Sequence, residues 1–184
     1  LDAPHPKPYP DRERECQGTI PTRNLVLGTD FKSDVLLLRL RVDDPVRLMP
    51  GRLATDVALR TIAEALTIAA TQKLGVEATE LQAEYRQALT QLGHRGLESE
   101  IYLYDTLAGG AGFTRRVFDF REEVFRTALD RLEHCPADCD ESCYQCLRSF
   151  RNRFEHGYLD RKVGASLLRY LLDDDVPVLD QARL

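Results

Sequence analysis

Four cysteines fall within twelve residues in the last third of the chain: Cys135, Cys139, Cys143 and Cys146, spaced C-x3-C-x3-C-x2-C. Thiolate sulfur is a soft ligand, and four sulfurs at such short intervals can converge on one ion. Zn2+ takes four tetrahedral ligands of this kind in closed sites that leave no position open for substrate. The cluster therefore predicts a structural zinc and a metal-folded module, not a catalytic metal. Four thiols this close together are poorly placed for two disulfide bridges, so the pattern points to a reducing, cytoplasmic setting. The fifth cysteine, Cys16, lies far from the others and is given no role. His134 and His156 flank the cluster and could replace a ligand, but both are read as surface histidines.

A second group of residues is the loop Asp105-Thr-Leu-Ala-Gly109-Gly110-Ala-Gly112-Phe113, between a strand pattern and a helix pattern. Gly109, Gly110 and Gly112 let the backbone bend tightly and turn its N–H groups outward. A helix N-terminus behind such a loop suits a phosphate or another anion. The competing reading is close packing of helix on sheet. The loop lacks the lysine and hydroxyl of a P-loop, and its glycines have the wrong spacing for a dinucleotide fold. Asp105 is a single carboxylate with no second acid at a convincing interval, which makes a metal-dependent nuclease the weakest of the functional readings.

The third group follows the cysteines. From Ser142 to Tyr170 there are six basic residues, Arg148, Arg151, Arg153, Arg161, Lys162 and Arg169, against Glu155 and Asp160. Phe150, Phe154 and Tyr158 are interleaved with them. Arginines with aromatics can hold phosphates and stack bases, so Arg148, Arg151, Arg153 and Lys162 are candidate contacts to single-stranded DNA. The plainer reading is a solvated helix face over a buried aromatic stripe, or cations that neutralise the zinc thiolates.

The elements that must carry these groups follow from periodicity. Residues 1–24 hold many prolines and charges and read as an extended lead-in, leaving one domain over 25–184 with a zinc segment at about 134–160. Leu25–Leu27 and Asp34–Val42 read as two short strands joined by turn residues. A helix is expected over 53–74, closed by Gly75. Residues 76–92 fit both a helical stripe and a strand alternation; the neighbouring strands favour sheet. Ile101–Tyr104 is a strand. One long helix is expected from Gly112 to His134, a helical stretch over Tyr144–Phe154, and a last helix over Leu159–Leu172. The sum is an α/β (α+β) fold: a small, mostly antiparallel sheet covered by helices, with a zinc-bound helical segment carrying the four cysteines toward its C-terminal end.

The 184 residues carry 43% hydrophobic content and a net charge of −5, so a core can form but no global basic field attracts nucleic acid. No apolar run approaches the ~20 residues of a membrane span. The first residues, Leu-Asp-Ala-Pro-His, have no initiator methionine and read as the start of a fragment of a longer protein.

Taken together, Leu103-Tyr104-Asp105, the glycine loop, the cysteines with Ser142-Cys143-Tyr144-Gln145-Cys146-Leu147, Asn152 and Leu159-Asp160-Arg161 resemble one family over roughly residues 25–172. It is the MrfA-type zinc-binding (MZB) C-terminal domain of superfamily-two DNA helicases, also catalogued as a helicase-associated domain. The family's proline before the glycine loop is replaced here by Ala108. The resemblance implies Cys135, Cys139, Cys143 and Cys146 as zinc ligands. It also implies helicase lobes of the same parent chain as partner, with ATP bound in those lobes and not here. The function implied is an accessory domain of an ATP-dependent helicase in DNA repair or phage defence. The alternative is a protein-interaction module without DNA contact.

Overall fold

The computed structural model describes residues 28–87 and 97–177. Contacts divide the chain into two units, residues 1–30 and residues 31–184, and only three residues of the first are described. The strand expected at Leu25–Leu27, the lone Cys16 and the end of the 76–92 segment lie outside the described residues.

Among the described residues, three strands form an antiparallel sheet in the order β1-β3-β2: β1 (Val35–Arg41), β2 (Leu81–Gln87) and β3 (Glu98–Asp105). The ambiguous 76–92 segment is thus a strand over 81–87. β1 alternates as its sequence requires. Leu36, Leu38 and Leu40 turn toward the core, while Val35, Leu37, Arg39 and Arg41 are exposed. β1 and β2 are edge strands joined through α1 (Leu53–Leu74), and β3 lies between them.

The long helix α1 is central, not one-faced. Fifteen of its 22 residues are buried, so it must pack on several sides. It touches β2 and β3, and also α3 (Arg121–Glu133) and α4 (Arg161–Asp173). Arg60, buried on this helix, donates to Glu64 at 2.8 Å and to the Ala83 carbonyl of β2 at 2.9 Å. Thr67 donates to the Ala63 carbonyl one turn back. Gly75 ends the helix at φ 66°, in the left-handed region that glycine enters without strain. At the α1–α4 crossing, a Cβ on Gly164 would sit 2.4 Å from the Thr61 side chain, so glycine sets how closely the helices approach.

The single helix expected from Gly112 to His134 is two helices. α2 (Phe113–Asp119) is followed by a break at Phe120, and α3 restarts at Arg121. Glu122 and Glu123 fill the first turn of α3, where unpaired N–H groups favour carboxylates. The break turns Phe120 out, 41% exposed beneath the Lys73 ammonium, and lets α3 pack on α1 through Val124, Ala128 and Leu132.

One buried charge sits on the outer face of the sheet. Glu100 of β3 has Arg39 and Arg86 as its direct cross-strand neighbours, and it is only 3% exposed. The Tyr102 hydroxyl donates to it at 2.6 Å, Arg86 at 2.9 Å and Arg39 at 3.0 Å. Tyr102 lowers its pKa most; burial opposes, the two arginines assist, and the carboxyl is held at about 2. A depressed carboxyl stabilises the fold above its unfolded value of ~4.3 and loses that contribution as pH falls toward the folded value. With both arginines half exposed, we expect the contribution to be about 2 kcal/mol. Glu100→Gln should lower the urea midpoint at pH 7, and its gap to wild type should shrink between about pH 4 and pH 2. A gap that does not change with pH would refute this account.

Candidate metal centre

The segment after α3 folds around its own sulfurs. Asp138, at φ 45°, reverses the chain between Cys135 and Cys139, and its N–H reaches the Cys135 carbonyl at 2.9 Å. The Cys143 carbonyl then accepts N–H bonds from Cys146, Leu147 and Arg148, which coils residues 143–148 into a tight knuckle. The expected helix over Tyr144–Phe154 is therefore absent: turns run to a short 3-10 helix, Arg153–Tyr158. The physical reason is the sulfur geometry. Cys143 and Cys146 must aim at one point, and the bent backbone that achieves this cannot also keep the regular helical ladder.

All four cysteines are free, and their sulfurs lie within 4.8 Å of one another. The closest pairs are Cys135–Cys143 at 3.6 Å, Cys139–Cys146 at 3.7 Å and Cys143–Cys146 at 3.8 Å. A tetrahedral ion with metal–sulfur bonds of ~2.3 Å requires sulfurs about 3.8 Å apart. A disulfide requires ~2.05 Å. The donor set thus fits Zn2+ and does not fit a pair of bridges. Electrostatics agree. Burial pushes the Cys139 thiol up to about 12, and the neighbouring sulfurs add to the rise. Burial also raises Cys146. Cys135 goes the other way, to about 6: burial raises it, but the Cys139 and Ala137 N–H groups outweigh that. The raised Cys139 and Cys146 thiols are the ones that need a cation between the sulfurs to ionise. The Cys143 N–H points to the Cys146 sulfur at 3.1 Å, and the Gln145 N–H to the Cys143 sulfur at 3.4 Å, as thiolates need.

Neither histidine joins the cluster. His134 pairs with Asp130 one turn earlier, at 2.9 Å. The His156 ring nitrogen Nε2 lies 3.0 Å from Asn152 Oδ1 and 3.1 Å from the Ser149 carbonyl.

The basic residues do not act as one group. Arg161 is 7% exposed. It donates to the carbonyls of Cys139 at 2.7 Å, Glu133 at 2.9 Å and Leu132 at 3.1 Å, tying the zinc loop and the end of α3 to the start of α4. Asp160 caps that same helix through the Lys162 and Val163 N–H groups. Lys162 pairs with Asp140, and Arg169 with Glu133. Arg148, a candidate DNA contact, is half-buried and donates to the buried Ser142 hydroxyl at 2.9 Å. Arg151 and Arg153 are exposed. Arg151 reaches the Ala78 carbonyl, and the Arg153 guanidinium lies over Phe150 and Phe154.

The glycine loop is closed by carboxylates of its own chain. Asp105, fully buried, accepts from Ala111 at 2.8 Å and from Phe113 and Thr114 at 3.0 Å. Asp34 accepts from Gly112 at 3.2 Å, while the Gly109 and Gly110 N–H groups go to the Lys32 and Leu107 carbonyls. A Cβ on Gly110, at φ 79°, would fall 2.3 Å from an Asp34 oxygen, so glycine is required both by conformation and by space. Every amide from Gly109 to Thr114 thus has an internal acceptor. Sequence reasoning set an external anion seat against close packing of helix on sheet; Asp34, far away in the sequence, carried no signal that it would close the loop.

Comparison with known proteins places this geometry. Residues 62–147, which include all four cysteines, match the family model of the MrfA Zn-binding domain. The chain is 37% identical to the Druantia protein DruE of Escherichia coli over 94% of its own length and 10% of that protein's. It is 31% identical to the ATP-dependent helicase hrq1 of Schizosaccharomyces pombe over 50% of its length and 9% of the helicase's. A crystal structure of the helicase MrfA bound to DNA shares the fold, with a TM-score of 0.52 and 20% identity over 73% of this chain and 16% of that one. The chain thus spans about a tenth of the curated relatives it matches. Residues 62–147 are an MrfA Zn-binding (MZB) domain.

Proposed function

We propose that this chain is the zinc-stabilised accessory domain of an ATP-dependent DNA helicase or translocase. Cys135, Cys139, Cys143 and Cys146 hold one structural Zn2+, and the segment the metal fixes guides single-stranded DNA. The observation that carries the reading is the placement of Arg151 and Arg153: both exposed, both directly beyond the sulfur knuckle. The relatives supply the context, since one is named an ATP-dependent helicase and another was solved bound to DNA. ATP binding and unwinding belong to helicase lobes of the parent chain, in repair or phage defence.

Phosphate contacts release counterions, so affinity should fall with salt by a slope of ~0.7 per contact for single strands. The zinc-loaded chain should bind an oligothymidine in a salt-dependent way. Arg151→Ala with Arg153→Ala should weaken binding and flatten that slope by roughly 1.4, two contacts at ~0.7 each. A folded, zinc-loaded chain whose binding is absent or indifferent to salt would favour a protein-interaction module instead.

A further inference from the structure

Phe150 and Phe154 are the most exposed aromatics among the described residues, at 76% and 83%. A buried Phe side chain stabilises a fold by ~1.5–3 kcal/mol, and here that burial is forgone twice within five residues. Neither ring is loose at the surface. The Arg153 guanidinium carbon stands 4.3 Å from each ring centroid, which joins the two rings through one cation. The backbone beneath is fixed by Asn152, which is 5% exposed, donates to the Leu147 carbonyl at 2.9 Å and accepts the Ser149 N–H at 2.8 Å. The metal knuckle lies directly before it.

We propose that Phe150, Arg153 and Phe154 form a stacking platform for unpaired nucleobases. This deepens the DNA reading above and rests on it. Each ring keeps most of its surface open to solvent, and every base offers a π-face, so the contact needs no particular sequence. Duplex DNA hides its base faces, which makes the platform selective for single strands. Charge points to the same occupant. Residues 148–155 carry Arg148, Arg151 and Arg153 against Glu155, a local balance of +2 in a chain of −5. That suits a strand whose phosphates lie beside its bases, and it is a poor match for an aliphatic protein surface.

The test uses the zinc-loaded chain with two probes of equal length, about 15 nucleotides: an oligothymidine and an abasic strand with the same phosphates. Phe150→Leu with Phe154→Leu keeps apolar surface and removes the π-faces. Zinc content and far-ultraviolet circular dichroism establish that the variant is folded. We expect about 30-fold weaker oligothymidine binding in the variant, with abasic binding unchanged, and weaker abasic than oligothymidine binding in the wild type. 2-Aminopurine in the strand should be quenched by wild type and not by the variant. Equal affinity of both probes for wild type, or full affinity in the variant, would overturn the platform while leaving the phosphate-binding reading intact. Failure of the wild type to bind either probe would overturn both.

Discussion

Replacing Cys146 by serine is expected to remove zinc from the chain and unfold the region from Cys135 through α4. Cys146 is 3% exposed and lies 3.7 and 3.8 Å from two of the other sulfurs, so serine places an unpaired hydroxyl where a ligand must be. Structural zinc binding is worth ~10–16 kcal/mol in small metal-folded modules, and that energy is folding energy. A whole domain is stable by only ~5–15 kcal/mol, so this is the largest single term available to the chain. The consequence is not confined to the loop. Leu147 and Leu159 are buried at 1% and 2% and belong to the common core, so the loss should reach α1 and α3. Elemental analysis should find about one zinc per wild-type chain and none in the variant, with loss of helical circular dichroism and a lowered, broadened thermal transition. A strong chelator should reproduce the effect in wild type. Full thermal stability of the metal-free variant would remove the structural role from the metal.

Arg161→Met should come next in size. The guanidinium is almost fully buried and serves three carbonyls, two of them at the end of α3, where the helix has no partners of its own for them. It also lies 3.4 Å from the Asp138 carboxylate. Methionine fills similar space but leaves those acceptors without donors, at an expected cost of about 3–5 kcal/mol. Because one of the carbonyls is that of Cys139, zinc affinity should fall along with stability. Lysine should rescue little, since a single ammonium cannot reproduce the planar fork. Urea denaturation and competition with a zinc chelator read the two effects. A variant within about 1 kcal/mol of wild type would show that the clamp is dispensable.

What the sequence by itself determined was whatever is local and periodic. The cysteine intervals were sufficient because four soft ligands within twelve residues leave the chain few other arrangements. α1 and its glycine stop were legible from a long apolar pattern, and β1 from a run of residues that suit a half-buried sheet. Even the ambiguous 81–87 strand could be read, narrowly, from the company it keeps. The tertiary structure decided everything that depends on a partner distant in sequence. Arg161, counted among the surface cations, is a buried clamp, because only the fold brings the last carbonyls of α3 and the zinc loop to the start of α4. The glycine loop is closed by Asp34 and Asp105, because the sheet lays β1 beside β3. Glu100 is a buried ion because both its cross-strand neighbours are arginines, a fact of register and not of composition. The break at Phe120 follows from the direction α3 must take to reach α1. Phe150 and Phe154, which look like core residues in the sequence, stand in solvent because the sulfur knuckle bends the chain before they can form a helix face.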